Sequence, residues 1–150
     1  MMSIETSFFR DWRPFEHFRC VTLPNLIKAR KEKDNFRILC CGVSTGQEAY
    51  SLALLFRQAG DSLAALDPHI VGIDIAESAI ARAQKGVYSQ FEAQSGLPIQ
   101  MLMSGFEKIG DAQWRINDVL RAGIEFKRWN LIEELYPLGS FDVVFCRNVL

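Results

Sequence analysis

The feature that most constrains this fold is an alternation of apolar runs with helical patterns that begins at residue 36. Phe36–Cys41 and His69–Ile75 are apolar runs short enough to be buried strands. Each is followed by apolar side chains at helical spacing, in residues 47–59 and in residues 77–85. Buried strands that alternate with helices predict a parallel sheet with crossover helices, and therefore an α/β fold.

The rest of the chain adds two strands, an insertion and a helical segment. Ile124–Asn130 and Phe141–Cys146 have the composition of further strands. Residues 87–122 break the alternation, and we interpret them as an insertion that contains a β-hairpin. Near the N-terminus, residues 7–19 have a helix-like pattern that is interrupted at Pro14, and residues 23–30 predict a second short helix.

The composition is that of one ordinary globular domain. The 150 residues are 49% hydrophobic and 23% charged. A net charge of -1 gives no general attraction to nucleic acid or to anionic membranes. No apolar stretch approaches the roughly 20 residues of a membrane span, and the first residues lack the pattern of a signal peptide. We therefore expect a cytoplasmic protein that neither binds nucleic acid nor inserts into membranes.

The cysteines give no sign of a metal site. The chain has four, Cys20, Cys40, Cys41 and Cys146, with no C-x-x-C spacing and no histidine near a cysteine pair. Structural zinc sites are recognised by such spacings, so no metal site is predicted. The last three cysteines lie in apolar runs, and we expect them to be buried and reduced.

The turn Gly42–Gly46, between the first predicted strand and helix, is a candidate ligand site. Such a turn presents free backbone N–H groups, and its small residues let a ligand approach closely. Asp74 ends the next strand, where a carboxylate can accept hydrogen bonds from both hydroxyls of a ribose. Ser44 replaces the middle glycine of G-x-G-x-x-G, so S-adenosylmethionine, which has no pyrophosphate, fits better than a dinucleotide. The alternative is that Asp74 ends its strand as a carboxylate that only faces water.

The same turn also matches G-x-S-x-G, the nucleophile elbow of α/β-hydrolases. A hydrolase triad then needs an acid followed by a histidine. His69 is the sole histidine after Ser44, and it lies at the start of the next predicted strand. The intervening acids lie in the adjacent helix and linker, at Glu48, Asp61 and Asp67. This spacing disfavours the serine hydrolase.

Six blocks of sequence stand out together. They are Glu5–Arg10 (ETSFFR), Val43–Ser51 (VSTGQEAYS), Gly72–Ile75 (GIDI), Ala83–Tyr88 (AQKGVY), Trp129–Leu131 (WNL) and Phe141–Val149 (FDVVFCRNV). In order and spacing they closely resemble the CheR-type protein-glutamate methyltransferases of chemotaxis. The resemblance covers nearly the whole chain.

The resemblance implies an activity and a partner. A methyl group would pass from S-adenosylmethionine to glutamate side chains on the cytoplasmic helices of chemoreceptors, leaving S-adenosylhomocysteine. Two other classes of function stay open at this point. One is an inactive fragment that binds S-adenosylmethionine or the receptor, and the other is an interaction module that uses the insertion at residues 87–122.

The resemblance also implies roles for individual residues. Thr6 and Arg10 would approach cofactor and substrate from the N-terminal segment. Arg10 is the candidate catalytic residue, because its guanidinium can orient the substrate glutamate or hold the carboxylate end of the cofactor. Glu48 would meet the methionine portion of the cofactor, and Asp74 would bind the ribose.

Further cofactor contacts are implied at the ends of later strands. Asn130 and Leu131 would flank the adenine. Arg147 and Asn148 would lie beside the methionine portion of the cofactor. The family's S-T-G-E-E sequence has Gln47 in place of its first acid here.

The family's usual topology refines the fold class to a Rossmann-like methyltransferase with strand order 3-2-1-4. We expect this sheet to be incomplete, because the family's sheet continues past the fourth strand. The exposed edge at Val143–Cys146 is then expected to pair with another chain, in a possible homo-oligomer. Residues 1–35 would form an N-terminal helical segment and residues 87–122 an inserted β-subdomain.

Overall fold

The computed structural model describes residues 6–29, 36–58 and 68–146. Within these ranges the strands form a parallel sheet and a smaller antiparallel sheet. The parallel sheet contains β1 (Arg37–Cys41), β2 (His69–Asp74), β6 (Ile124–Arg128) and β7 (Val143–Cys146), in the order β6-β2-β1-β7. Since β6 and β7 are the third and fourth parallel strands along the chain, this confirms the predicted order 3-2-1-4.

The smaller sheet lies within the predicted insertion. It contains β3 (Val87–Ser89), β4 (Phe106–Ile109) and β5 (Gln113–Ile116), in the antiparallel order β3-β5-β4. The hairpin predicted in this segment is formed by β4 and β5. The structure does not test whether residues 1–35 and 87–122 are separate structural units, so that division stays a prediction.

Short helices surround the sheets. They are α1 (Arg13–His17), a π-helix (Phe18–Thr22), α2 (Leu23–Ala29), α3 (Gln47–Gln58), α4 (Glu77–Lys85), α5 (Gln90–Gln94), α6 (Ile99–Gly105), α7 (Asp118–Ala122) and a 3₁₀-helix (Tyr136–Leu138). None of the helices in the described ranges is long and apolar enough to cross a membrane.

The prediction that Pro14 interrupts the first helix was wrong. Pro14 instead lies in the first turn of α1, where its missing N–H has no helical partner to lose. From α1 the chain continues through the π-helix into α2, and the Leu23 N–H donates to the carbonyl of Phe18 across the wide turn. This widening comes directly before Pro24, which cannot donate a helical hydrogen bond.

The two central strands, β1 and β2, are buried on both faces, as their near-continuous apolar sequences require. One face packs against helices through β-strand side chains that include Ile38, Cys40, Ile70 and Phe126. The opposite face is covered by the segment between β6 and β7, and its buried side chains are Leu39, Cys41, Val71, Ile73 and Leu138. Alternate residues of one strand therefore belong to different clusters, because successive side chains point to opposite faces.

The N-terminal helices cover the edge strand β7 on one face. Phe145 stacks on Phe15, with ring centroids 6.0 Å apart, and meets Phe18 edge-on at 5.1 Å. On the other face, Val144 is 56% exposed. In the described part of the chain β7 pairs with β1 alone, so the pairing of this edge with another chain stays a prediction.

Arg37 holds the segment that leads into β7. Its guanidinium donates to the carbonyls of Leu138 and Ser140, both at 2.9 Å, and lies 4.5 Å from the ring centre of Phe141. The Arg37 backbone N–H donates to a carboxylate oxygen of Asp142 at 2.9 Å. These contacts fix the chain at the amino end of the sheet, opposite the Gly42–Gly46 turn.

The cysteine predictions were correct at two positions and wrong at one. Cys40 and Cys41 are buried at the end of the central strand β1, on opposite faces of the sheet. Cys146 is exposed, because it ends a strand that has a neighbour on one side only among the described residues.

A buried tyrosine joins the small sheet to the Gly42–Gly46 turn. Tyr88, on β3, donates its hydroxyl to the carbonyl of Thr45 at 2.6 Å. Burial raises the pKa of Tyr88 well above its usual value, so the hydroxyl stays protonated as a donor. The ring also meets Phe8 edge-on at 4.9 Å. The N-terminal segment, the small sheet and the turn therefore share one core.

Replacing Tyr88 tests this link. Tyr88→Phe should lower the free energy of unfolding by about 1–2 kcal/mol, because the Thr45 carbonyl loses its donor. Tyr136→Phe is the matched control: this tyrosine is 76% exposed, and its loss should change stability by less than about 0.5 kcal/mol. Urea denaturation followed by circular dichroism measures both. Equal midpoints for Tyr88→Phe and the unaltered chain would contradict the link.

Candidate functional site

The turn between β1 and α3 bends sharply through left-handed backbone. Gly42, Ser44 and Gly46 have φ angles of 67°, 53° and 97°. Ser44 is unusual, because residues with a side chain seldom adopt this conformation. At Gly46 a Cβ would lie 2.9 Å from the Cβ of Ala83 on α4, so only glycine allows this approach. The turn is thus held in one shape by packing beneath it.

Backbone hydrogen bonds attach the turn to the end of β2. The Val43 N–H donates to the carbonyl of Ile73 at 3.0 Å, and the Gly46 N–H closes the turn on Val43 at 3.0 Å. Gly42 is exposed while Ser44 is half-buried. The turn therefore presents backbone to solvent at the carboxyl end of the sheet.

Asp74 connects the turn to the chain that follows β2. One carboxylate oxygen accepts from the Ser44 N–H at 2.8 Å, and the other accepts from the Ala76 N–H at 2.9 Å. A carboxylate has about four acceptor positions, so each oxygen keeps one beyond these bonds. Asp74 thus has a structural role that the sequence did not predict, and it retains the acceptor capacity that ribose binding requires.

Asn130 and Leu131 follow the neighbouring strand β6 at the same edge. The Trp129 N–H donates to the Asp74 carbonyl at 2.9 Å, which brings the chain after β6 against the end of β2. Asn130 then shapes a turn, since its side-chain oxygen accepts from the Ile132 N–H at 3.1 Å. Leu131 is exposed.

Glu48 lies in the first turn of α3, beside the end of β1. It is half-buried, and its charge contributes to the raised pKa values of Cys40 and Cys41, in both of which burial is the largest cause. The acid predicted to meet the methionine portion of the cofactor is thus next to the turn. Gln47 stands where the family's S-T-G-E-E sequence has its first acid. It is buried, and its side-chain oxygen accepts a hydrogen bond from the Thr45 hydroxyl at 2.5 Å.

The segment with Thr6 and Arg10 is anchored to α3. The Phe9 N–H donates to the Ser51 hydroxyl oxygen at 2.9 Å, and that hydroxyl donates to the Gln47 carbonyl at 2.7 Å. Arg10 lies between two residues with left-handed backbone, Phe9 at φ 48° and Asp11 at φ 44°. Strained backbone of this kind is frequent where a side chain must be held for function. Thr6 and Arg10 are both half-buried.

The structure therefore brings most of the predicted residues to one edge. Six of them lie at or just after the carboxyl ends of β1, β2 and β6: Gly42, Ser44, Glu48, Asp74, Asn130 and Leu131. Arg147 and Asn148 lie outside the described residues. The roles of these residues toward a cofactor stay predictions.

Sequence reasoning missed two further residues at this edge. Ile75 directly follows Asp74 and is 56% exposed, so an apolar side chain faces solvent beside that carboxylate. Arg128 donates to the Ile75 carbonyl at 3.1 Å and supports that position. Ile75 could have been found from its place in the GIDI block. The contact of Arg128 with Ile75 could not, because the two residues are far apart in sequence and no local pattern indicates it.

The structure separates Ser44 from the histidine that a hydrolase would need. His69 begins β2 and is paired in register with Arg37, at the amino end of the sheet. Its ring contacts Glu125 at 3.4 Å. The chain's other histidine, His17, lies on α1 and contacts Thr22. His69 is therefore at the opposite end of the sheet from Ser44.

Comparison with known proteins agrees with this geometry. Residues 4–150 match the family described as CheR methyltransferase, SAM binding domain, where SAM is S-adenosylmethionine. The chain is 35% identical to chemotaxis protein methyltransferase 1 of Pseudomonas aeruginosa, over all of the chain and 56% of that protein. It is 30% identical to chemotaxis protein methyltransferase Cher2 of Pseudomonas putida, of which it covers 55%. It is 31% identical to chemotaxis protein methyltransferase 1 of Vibrio cholerae, of which it covers 54%.

The chain spans about half the length of the curated relatives it matches, while the family match extends over nearly all of the chain. The domain that is matched is the one that binds S-adenosylmethionine, which indicates this molecule as the cofactor. The chain belongs to the CheR methyltransferase family, as an S-adenosylmethionine-binding domain of that family.

Proposed function

We propose that this chain transfers the methyl group of S-adenosylmethionine to glutamate side chains on the cytoplasmic helices of chemoreceptors. The observation that carries the proposal is the position of Asp74, whose carboxylate joins the Ser44 and Ala76 N–H groups at the carboxyl edge of the parallel sheet. In open α/β sheets, ligands bind in the crevice beyond this edge.

The residues at the edge have the chemistry that the nucleoside part of the cofactor requires. The ribose hydroxyls are donors, and each Asp74 oxygen keeps a position to accept one. Ile75 and Leu131 are exposed apolar side chains that can cover the faces of the adenine. Gly42 is exposed and has no side chain, so a ligand can approach the backbone there.

The proposed reaction asks little of the protein's side chains. S-adenosylmethionine supplies a methyl group that its sulfonium already makes electrophilic. A glutamate carboxylate is ionised at neutral pH, so the nucleophile needs no general base. The chain's contribution is then to bind both partners, exclude water and hold the two reacting groups in line.

Arg10 is our candidate for holding the substrate. Its guanidinium can bind a carboxylate through two parallel hydrogen bonds, which fixes orientation as well as distance. The anchoring of Phe9 to Ser51 and the left-handed backbone on both sides of Arg10 hold this residue near the start of α3. Those constraints are what an orienting role would require.

The names of the relatives support chemotaxis and methyl transfer. That the acceptor is a glutamate, and that it lies on a chemoreceptor, rests on the sequence resemblance to the CheR-type enzymes. A cytoplasmic location is part of the same proposal, because the receptor helices that carry these glutamates are cytoplasmic.

Replacing Asp74 tests the proposed cofactor site. Asp74→Asn should weaken binding of S-adenosylhomocysteine about tenfold or more, because hydrogen bonds to a charged group contribute about 1.5–3 kcal/mol each. Isothermal titration calorimetry measures the affinity. Asp142→Asn is the matched control: its carboxylate also accepts a backbone N–H, from Arg37, but at the opposite edge of the sheet.

The control separates binding from folding. Both variants lose one charged acceptor of backbone N–H groups, so both should be moderately less stable in urea. Only Asp74→Asn should bind S-adenosylhomocysteine more weakly. Unchanged affinity in Asp74→Asn would mean that the carboxylate holds the turn and does not bind the cofactor.

Replacing Arg10 tests methyl transfer itself. Arg10→Lys should lower the rate of labelled methyl transfer to a receptor cytoplasmic fragment at least about tenfold, because an ammonium cannot reproduce the two-point contact of a guanidinium. Arg13→Lys is the control, since Arg13 is exposed and pairs with Asp11 at 2.9 Å. Binding of S-adenosylhomocysteine by the unaltered chain with no methyl transfer would instead indicate a fragment that binds cofactor without turnover.

A further inference from the structure

Two cysteines end neighbouring strands at the proposed cofactor site. Cys41 is the last residue of β1 and Cys146 the last described residue of β7, and the two are paired in register. Register partners in a parallel sheet point to the same face. Neighbouring strands lie about 4.8 Å apart, within the range of about 4.4–6.8 Å between Cα atoms that disulfides require.

The two thiols differ in their surroundings. Cys41 is 3% exposed and Cys146 is exposed. Burial, as the largest cause, together with the neighbouring Cys146 and the charge of Glu48, raises the pKa of Cys41 to about 11. The Cys41 thiol is therefore almost fully protonated at neutral pH, and an oxidant in solution meets Cys146 first.

The other cysteines are placed differently. Cys40 is fully buried and belongs to the cluster on the opposite face of the sheet. Cys20 is exposed on the π-helix, where its thiol donates to Glu16 at 3.3 Å. Among the four cysteines, Cys41 and Cys146 alone are register partners on adjacent strands.

We propose that Cys41 and Cys146 form a reversible disulfide in the presence of hydrogen peroxide, and that this bond weakens cofactor binding at the adjacent turn. The first half of the proposal concerns only the two thiols. The second half rests on the proposed function, because it assumes that the carboxyl edge of the sheet binds S-adenosylmethionine.

The oxidation proceeds in two balanced steps. The Cys146 thiolate attacks one oxygen of hydrogen peroxide, the O–O bond breaks, and hydroxide leaves with a sulfenic acid formed on Cys146. The sulfur of Cys41 then attacks the Cys146 sulfur, the S–O bond breaks, and the proton of the Cys41 thiol leaves with the hydroxide as water. Two thiols are oxidised to one disulfide, and one peroxide is reduced to two waters. A dithiol reductant reverses the bond by exchange.

The bond would change the geometry at the turn. Cβ atoms of a disulfide lie about 3.8 Å apart, whereas those of residues directly opposite each other on neighbouring strands lie about 4.5–5.5 Å apart, so the Cβ atoms of Cys41 and Cys146 must approach by about 1 Å. Gly42 directly follows Cys41, and the turn that begins there positions the Ser44 N–H on Asp74. We expect this displacement to move the turn and Asp74 out of the positions they hold beside a ligand, and so to lower the affinity for the cofactor.

Peptide mapping tests the first half on the unaltered chain. The protein is treated with stoichiometric hydrogen peroxide, alkylated and digested with trypsin without reduction. Cys41 then lies in the peptide of residues 38–57 and Cys146 in that of residues 129–147. We expect these two peptides to be linked by a disulfide, and the link to disappear after dithiothreitol. Sulfinic acid on Cys146 without a linked peptide, or a link through Cys20, would overturn the proposal.

Variants assign the link to one of the two adjacent cysteines. Cys40→Ala should keep the linked peptide, because Cys40 points to the opposite face. Cys41→Ala should abolish it. Fragmentation of the linked peptide between residues 40 and 41 gives the same assignment without a variant, so a variant that fails to fold leaves the test intact. A link that survives in Cys41→Ala would overturn the proposal.

Calorimetry with S-adenosylhomocysteine tests the second half. In a Cys20→Ser background, which removes the other exposed thiol, the oxidised chain should bind at least about tenfold more weakly than the reduced chain, the change that a small displacement at the site can produce. Cys146→Ser should bind equally before and after peroxide. Equal affinity of the oxidised and reduced chains would overturn the coupling. A reduced chain that does not bind would overturn the proposed function, while peptide mapping still decides the disulfide.

Discussion

The carboxyl edge of the parallel sheet depends on one carboxylate. Asp74 ends β2 and accepts hydrogen bonds from Ser44, in the turn after β1, and from Ala76, before α4. A half-buried carboxylate bound by two backbone N–H groups fixes both chains that leave the sheet there. The Asp74 carbonyl accepts from Trp129 and so adds the end of β6. One residue thereby organises the ends of three strands, and its carboxylate keeps acceptor positions beyond these two hydrogen bonds.

The sequence was most informative where structure is local. The strands and helices between residues 36 and 85 were predicted from short-range periodicity, because each buries one stripe or one face of its own side chains. Glu77–Lys85 agrees with the observed bounds of α4, and Gly86 follows it in left-handed conformation. The order of the parallel strands, in contrast, was expected from resemblance to a family, since periodicity alone does not determine which strands are neighbours.

The sequence was least informative about long-range contacts. Nothing near Tyr88 indicates that its hydroxyl supports the carbonyl of Thr45 on another element. Cys146 was expected to be buried because it ends an apolar run, although the family's strand order already placed that run at the edge of the sheet. Pro14 was misread as an interruption because its effect depends on the helix start, which the surrounding pattern did not define. At the site, sequence predicted the ligand-facing role of Asp74 but not its structural one.

The central claim is that the carboxyl edge of the parallel sheet binds the cofactor, and nuclear magnetic resonance tests it most directly. Backbone amide signals of the ¹⁵N-labelled chain are followed as S-adenosylhomocysteine is added. We predict shifts concentrated at Ser44, Asp74, Ala76 and Asn130, with the amino-edge residues Arg37 and Asp142 unchanged. Shifts confined to the amino edge or to the small antiparallel sheet, with Ser44 and Ala76 unaffected at saturation, would contradict the account.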